Sequence, residues 1–250
     1  MIQINNISKT FSGRNVIQNI SFEFKSGKTN MIIGVSGSGK TTLLKCMVGL
    51  IDPDAGDVLF NGRNFYDLDF NAKKEIRKEI GMLFQGGALF DSQTVEENVV
   101  FPISMFTNLT IAEKKDRANF CLKRVNLENV NNLYPSELSG GMKKRVAIAR
   151  AIAVQPKYLF CDEPNSGLDP LTSLVIDNLI KEITEEYNIT TVVITHDMNS
   201  VMEIGDHIMF IYKGEKWWEG SRTEILKTDN KEVCNFVYAT KFMKDLKTKL

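Results

Sequence analysis

Gly34-Val35-Ser36-Gly37-Ser38-Gly39-Lys40-Thr41 fits the spacing GxxxxGK[ST], follows the apolar run that starts at Asn30 and opens the helical run Thr42 to Val48. The glycines let backbone N–H groups converge on phosphate oxygens, and the helix N-terminus adds unpaired donors and the positive end of its dipole. Gly34, Ser36, Gly37, Ser38, Gly39 and Thr42 are thereby candidate phosphate-binding positions. Lys40 is placed to bridge the β- and γ-phosphates and Thr41 to ligate Mg2+. The plainer alternative is a glycine-rich turn without a ligand. Further on, the apolar run Tyr158-Leu159-Phe160-Cys161 ends in Asp162-Glu163. Asp162 can hold Mg2+ through water and Glu163 can orient an attacking water; otherwise the two acids merely cap a strand. Leu138-Ser139-Gly140-Gly141 precedes a helical pattern from Met142 and gives a second glycine-flanked helix start, with Ser139 at the capping position. Alone this is an ordinary capped helix, but two such starts in one chain suggest one nucleotide held between two surfaces.

Short apolar runs alternating with helical patterns indicate an α/β protein whose strands are buried on both faces. The core strands are predicted at 30–35, 80–84, 158–162, 191–195 and 207–212, all in phase with the motifs above. Segments 2–7, 21–24 and 57–60, with an Asn61-Gly62 turn, read instead as antiparallel strands, so a mixed sheet with an N-terminal antiparallel β layer is expected. Between Gln85 and Gln155 helical signals dominate: 95–101 stopped by Pro102, 111–125, and 142–154 stopped by Pro156. A long helix is predicted over 171–187 and short helices from Arg222 onward.

Lys and Arg number 31, Asp and Glu 31, with 43% hydrophobic and 25% charged residues, the balance of an ordinary globular chain large enough to need no disulfide or metal staple. A net charge of zero argues against a general nucleic-acid partner, and the run Lys143-Lys144-Arg145 is expected to be a solvated helix face. Cys46, Cys121, Cys161 and Cys234 are scattered among apolar neighbours and read as buried thiols in a reducing compartment. No secretory signal is visible, and the apolar runs fall far below the ~20 residues of a membrane helix. Membrane work would then need another chain to do the spanning. Lys241 to Lys249, with Phe242, Met243 and Leu246, read as a fraying or docking tail.

These motifs together resemble the ATP-binding-cassette (ABC) transporter ATPases over nearly the whole chain. Leu138-Ser139-Gly140-Gly141-Met142 is similar to the family's LSGGQ signature. Phe11 with Val16 resembles the adenine-stacking loop, Phe84-Gln85 the Q-loop, Ser166-Gly167-Leu168-Asp169 the D-loop, and Ile194-Thr195-His196-Asp197 the switch histidine, all in the family order. Phe11 stands where the family usually has Tyr, and stacking needs only the ring face. The resemblance implies a P-loop NTPase of ABC type, an α/β fold with a mixed central sheet and an inserted helical subdomain. Residues 1–250 would form a single nucleotide-binding domain: an ATP-binding core over about 1–84 and 157–221, a helical signature subdomain over about 85–156, and a helical tail over 222–250.

It further implies an ATPase using ATP and Mg2+, in a head-to-tail dimer where each ATP lies between the P-loop of one copy and Ser139, Gly140 and Gly141 of the other. His196 would contact the γ-phosphate, Gln85 would sense Mg2+ and a membrane partner, and Asp169 would couple the two sites. Catalysis would rest on Glu163, His196 and Gln85, and the metal on Thr41, Gln85 and Asp162. Met142 in the signature, Phe84-Gln85-Gly86-Gly87-Ala88-Leu89-Phe90, Glu97-Asn98-Val99 and Phe101-Pro102 narrow the resemblance to the MlaF-like ATPases of bacterial phospholipid-trafficking (Mce/Mla) transporters. That implies integral-membrane permease subunits and an Mce-domain protein as partners, and a peripheral location on the cytoplasmic face of the inner membrane. Leu89, Phe90 and Phe101 would offer the permease an apolar surface, unless they pack internally. A polar-solute importer, such as one for amino acids, is the alternative; a soluble cassette acting on ribosomes or DNA is a more distant one.

Overall fold

The computed structural model describes residues 1–239, so the basic segment 241–249 lies outside the described residues. The chain opens with β1 (Ile2–Phe11), β2 (Arg14–Phe24) and β3 (Thr29–Ile33), followed by α1 (Lys40–Met47), β4 (Ala55–Phe60), β5 (Arg63–Asn64), α2 (Phe70–Lys78) and β6 (Ile80–Leu83). Three helices come next: α3 (Val95–Phe106), α4 (Ile111–Arg124) and α5 (Gly140–Ile152). The order then runs β7 (Tyr158–Asp162), α6 (Pro170–Glu186), β8 (Thr190–Thr195), α7 (Met198–Ile204), β9 (His207–Tyr212), β10 (Glu215–Gly220), α8 (Arg222–Ile225) and α9 (Lys231–Val237).

One sheet has the order β2-β1-β4-β5 and is antiparallel; the other runs β10-β9-β3-β8-β7-β6, parallel except for β10 against β9. This is the expected α/β fold with a mixed sheet and an antiparallel layer. The central strands read as continuous apolar runs because each is covered on both faces. Met31 and Ile33, Leu159 and Cys161, Val193, and Phe210 point into a core shared with the helices. Their alternating neighbours Ile32, Phe160, Val192, Ile194 and Met209 point into a second core with α1 and the antiparallel sheet. Asn61 and Gly62, both at positive φ, make the expected two-residue turn, though β5 beyond it is only two residues long.

Several expectations need correction. Pro102 does not stop its helix: α3 continues to Phe106, because Val95, Val99 and Ile103, four residues apart, all bury on one face and that packing outweighs one missing backbone bond. β2 begins at Arg14, seven residues earlier than expected, as the partner of a long β1 hairpin. Lys144 is not on a solvated face. It shares the helical row of Ala147, Ile148 and Ala151 and is buried with them. Cys46, Cys121 and Cys161 are buried, and burial pushes the thiols of Cys46 and Cys121 up to about 11. Cys234 is half-buried and donates its Sγ–H to the Thr228 carbonyl at 3.1 Å. No helix among the described residues is long and apolar enough to cross a membrane.

Candidate functional site

Parallel strands bring their C-terminal ends to one edge, and the loops leaving that edge form the site. Register determines which residues meet there. Ile33 of β3 pairs with Thr195 of β8, Asp162 of β7 with Ile194, and Leu83 of β6 with Cys161. Two steps beyond Leu83 and Cys161, Gln85 and Glu163 therefore stand side by side, with His196 next along. The geometry agrees: the Gln85 amide donates to Glu163 Oε2 at 3.0 Å, and His196 Nδ1 lies 3.0 Å from Glu163 Oε1. Glu163 itself sits at φ 45°, with its N–H donated to the Ile194 carbonyl at 2.9 Å. That left-handed turn costs on the order of 1 kcal/mol and directs a carboxylate, rather than a backbone group, at its two partners.

The loop between β3 and α1 is built for an anion. Lys40 is buried at 5% exposure, makes no ion pair among the described residues, and donates to the carbonyls of Gly34 at 2.8 Å and Val35 at 3.0 Å. Burial pushes its ammonium down, against the opposing pull of Glu163 and Asp162. A buried cation held only by carbonyl dipoles gains most from an incoming phosphate. Ser38 Oγ is buried without a hydrogen-bond partner, an orphan that a phosphate oxygen would satisfy. Gly39 caps α1 at φ 101°, and a Cβ there would lie 2.7 Å from the Val16 carbonyl oxygen, so no side chain can intrude on the cradle. The residues present fit a triphosphate.

Thr41 Oγ1 donates to Asp162 Oδ1 at 3.3 Å, and burial together with the nearby Glu163 charge raises the Asp162 carboxyl. Two hard oxygens side by side suit Mg2+, which usually takes one or two protein ligands and completes its shell from water and substrate phosphates. That fits the absence, among the described residues, of any three His, Cys, Asp or Glu side chains grouped to hold a metal. Gln85, which lines the same cleft as Thr41, directs its amide N–H groups to Glu163 and, at 3.4 Å, to Ser166 Oγ.

Val16, Ser36, Lys40, Thr41, Gln85, Glu163 and His196 line one open cleft of about 1490 Å³, larger than the roughly 300–1,000 Å³ of a closed ligand pocket. Other candidate residues lie outside it. Phe11 is exposed at the tip of the β1–β2 hairpin, with the Lys9 ammonium 5.5 Å from its ring centre. Asp169 caps α6, accepting from Thr172 N–H at 2.9 Å and Thr172 Oγ1–H at 2.5 Å, bonds that hold its carboxyl below the usual range. Ser139 caps α5 through Met142 N–H at 3.2 Å, and both it and Gly140 are exposed. Gly141 packs so close to Thr172 that a Cβ would lie 2.6 Å from its methyl. Ser139, Gly140 and Gly141 are not among the residues lining the cleft, although Gly140 lies beside Leu168, which is.

Sequence reasoning missed how α5 holds the segment after Gln85. The buried ammonium of Lys144 donates to the Gln85 carbonyl, and Arg150 donates to the Gly87 and Ala88 carbonyls at 2.7 Å each. The helical spacing of Lys144 with three apolar residues was the available signal. Asn98 is fully buried; it donates to the Phe90, Gln93 and Thr94 carbonyls and accepts from Phe90 N–H at 2.8 Å. The loop so tied turns Leu89 toward the core and leaves the paired rings of Phe90 and Phe101, 4.8 Å apart, exposed.

Comparison with known proteins agrees with this geometry. The family model described as ABC transporter matches residues 17–166. The chain is 38% identical over 237 residues to the intermembrane phospholipid transport system ATP-binding protein MlaF of Haemophilus influenzae, covering 95% of this chain and 90% of that protein. It is 39% identical over 242 residues to the methionine import ATP-binding protein MetN 2 of Bacillus cereus, covering 95% of this chain and 71% of that one. Its structure is similar to the dimeric post-hydrolysis state of the ATP-binding cassette MJ0796 bound to ADP and Pi, with TM-score 0.82 and 35% identity over 89% of this chain and 99% of that one. The chain belongs to the ABC transporter family, as an ATP-hydrolysing cassette that uses ATP and Mg2+.

Proposed function

We propose that this chain powers phospholipid transport between bacterial membranes as the ATPase of an Mce/Mla-type transporter. It works as a head-to-tail pair bound through permease subunits to the cytoplasmic face of the inner membrane, with an Mce-domain protein as a further partner. The observation that supports the paired arrangement is that the Lys40 cleft is open, while Ser139 and Gly140 are exposed and are not among the residues that line it. A second copy can bring its Ser139, Gly140 and Gly141 to the open side. The lipid reading is supported by the similarity to MlaF, and permease docking by the segment 84–102, where the Asn98-tied loop displays Phe90 and Phe101 as an apolar surface.

In the closed pair, Lys40 turns from the Gly34 and Val35 carbonyls to the β- and γ-phosphates, and Ser38 gains the partner it lacks. Thr41 and Asp162 would hold Mg2+, which would supply positive charge to the phosphate oxygens. Glu163 orients the attacking water and draws its proton, while His196 and Gln85 fix the carboxylate from either side. Phe11 and Val16 contact the adenine, Ser36, Gly37, Gly39 and Thr42 complete the phosphate cradle, and Asp169 links the two sites. Residues 85–156 transmit closure to the permease, as a helical subdomain inserted in the ATP-binding core.

A polar-solute importer is the second reading, favoured by the equal similarity to the methionine import protein. Purification from membranes in mild detergent, with identification of co-purifying subunits and lipid, separates the two. Recovery with an Mce-domain protein and phospholipid supports the proposal; recovery with a solute-binding protein and no lipid overturns it.

A further inference from the structure

Beside the Glu163 loop, in the wall of the same cleft, lies a largely buried polar knot that none of the motifs accounts for. Asn165, two residues past Glu163, donates its Nδ2 hydrogens to Asp177 Oδ1 at 2.8 Å and Ser200 Oγ at 3.0 Å. Asn165 thus ties Asp177 and Ser200 to one amide, and the Ser200 hydroxyl, facing the Asp177 carboxylate, favours its charged form. Asp177 is 3% exposed and Ser200 1%. The three come from three elements: the loop after β7, the middle of α6, and α7, whose capping residue Asp197 directly follows His196.

A buried carboxylate is expensive, and an apolar residue in its place is often at least as stable. Here burial pushes Asp177 up to about 6, with Asp197 and Glu203 of α7 pushing the same way. Such a group makes physical sense where its directional bonds fix a geometry that apolar packing would leave loose. What it fixes lies on both flanks of Glu163. Asn165 is chained to Ser166, which accepts from Gln85, and to Leu168, whose N–H donates to the Asn165 carbonyl at 3.1 Å. Ser200 anchors the first turn of α7 just after His196.

We propose that Asn165, Asp177 and Ser200 form a bracket that positions His196 and the 166–169 loop against Glu163, so that its loss slows hydrolysis without weakening ATP binding. This rests on the reading of Glu163 and His196 as the hydrolytic pair. The three are positioning residues, argued to act through His196 and the 166–169 loop.

The test is steady-state ATP hydrolysis by the full chain, with ATP affinity measured separately. Asp177→Leu and Asn165→Leu are each expected to lower kcat about tenfold or more while KM and ATP affinity stay within about twofold, since misplacement of a reacting group costs rate and not binding. Combining them should add little, because either one removes the same Asn165–Asp177 bond. Asp177→Asn should recover at least about half the rate, its amide oxygen accepting from Asn165 and its NH2 donating to Ser200. Should the leucine variants fail to fold, Ser200→Ala, the mildest cut, carries the same expectation of a loss confined to kcat. Unchanged kcat, an equal loss in ATP affinity, or no recovery in Asp177→Asn overturns the bracket. Glu163→Gln run alongside separates the two failures: normal turnover there refutes the hydrolytic pair, whereas a dead Glu163→Gln beside fully active bracket variants refutes the bracket alone.

Discussion

The strand-edge cleft and the helical face of residues 85–152 use their charged groups in opposite ways. At the cleft, Lys40 is buried with only carbonyls for company, Ser38 Oγ has no partner, and Asp162 is held against burial. On the helical side the cations are spent: Lys144 and Arg150 are bonded to the carbonyls of Gln85, Gly87 and Ala88, and Asn98 is fully engaged with its loop. One region is poised for a ligand that supplies what it lacks. The other bonds Lys144, Arg150 and Asn98 to its own backbone, although Gln93 Oε1 has no partner among the described residues, and presents apolar rings and a capped helix start outward. The contrast teaches that a buried cation with no ion-pair partner marks where ATP goes, while cations bonded to their own loop mark the parts that must hold their shape against another protein.

The contrast can be broken by substitution. Lys40→Ala should remove the buried cation and reduce ATP affinity by about 100-fold or more, read by nucleotide-binding titration, since charge-assisted contacts to phosphate are the strongest in the site. Glu163→Gln should keep ATP binding and lower hydrolysis by about 100-fold or more in a phosphate-release assay. Ser139→Arg should leave ATP binding by the isolated chain intact and abolish most hydrolysis, because the defect falls on the surface offered to the other copy.

Smaller effects sharpen the helical side. Asn98→Ala leaves the Phe90 N–H and three carbonyls short of partners, and should cost about 2–3 kcal/mol in denaturant unfolding while sparing ATP affinity. The smallest effect belongs to Asp177. Its folded value of about 6 lies above the ordinary 3.8, so its favourable contribution is full below about pH 3.8 and is lost as pH rises through 6. Asp177→Asn should therefore flatten the fall in stability between pH 4 and 6 and raise stability at pH 7.5 by roughly 1–3 kcal/mol, measured by thermal or urea unfolding.

What the sequence reveals follows the range of the interactions. Gly34 to Thr41 was legible because the cradle is one contiguous loop, and the central strands because burial on both faces makes unbroken apolar runs. β10 was not, since Glu215 to Gly220 is a largely exposed edge strand whose apolar residues, Trp217 and Trp218, are adjacent and do not alternate. Pro102 misled because local propensity yields to the packing of Val95, Val99 and Ile103. Lys144 misled because its neighbours Lys143 and Arg145 are charged, although its helical row is apolar. Asn165, Asp177 and Ser200 meet only once α6 and α7 are in place, and no spacing along the chain foretells that.

The claim that one chain's cleft is completed by the other chain's Ser139 is tested most directly by mixing two inactive variants. Lys40→Ala and Ser139→Arg chains, combined in equal amounts with ATP and Mg2+, pair to give one site with both defects and one with neither, if the dimer is head-to-tail. Hydrolysis is then expected to rise well above the sum of the separate variants, toward about a quarter of the unsubstituted rate when half the dimers are mixed and one of two sites works. No rise above that sum would contradict the account, because a site built within one chain stays broken in both.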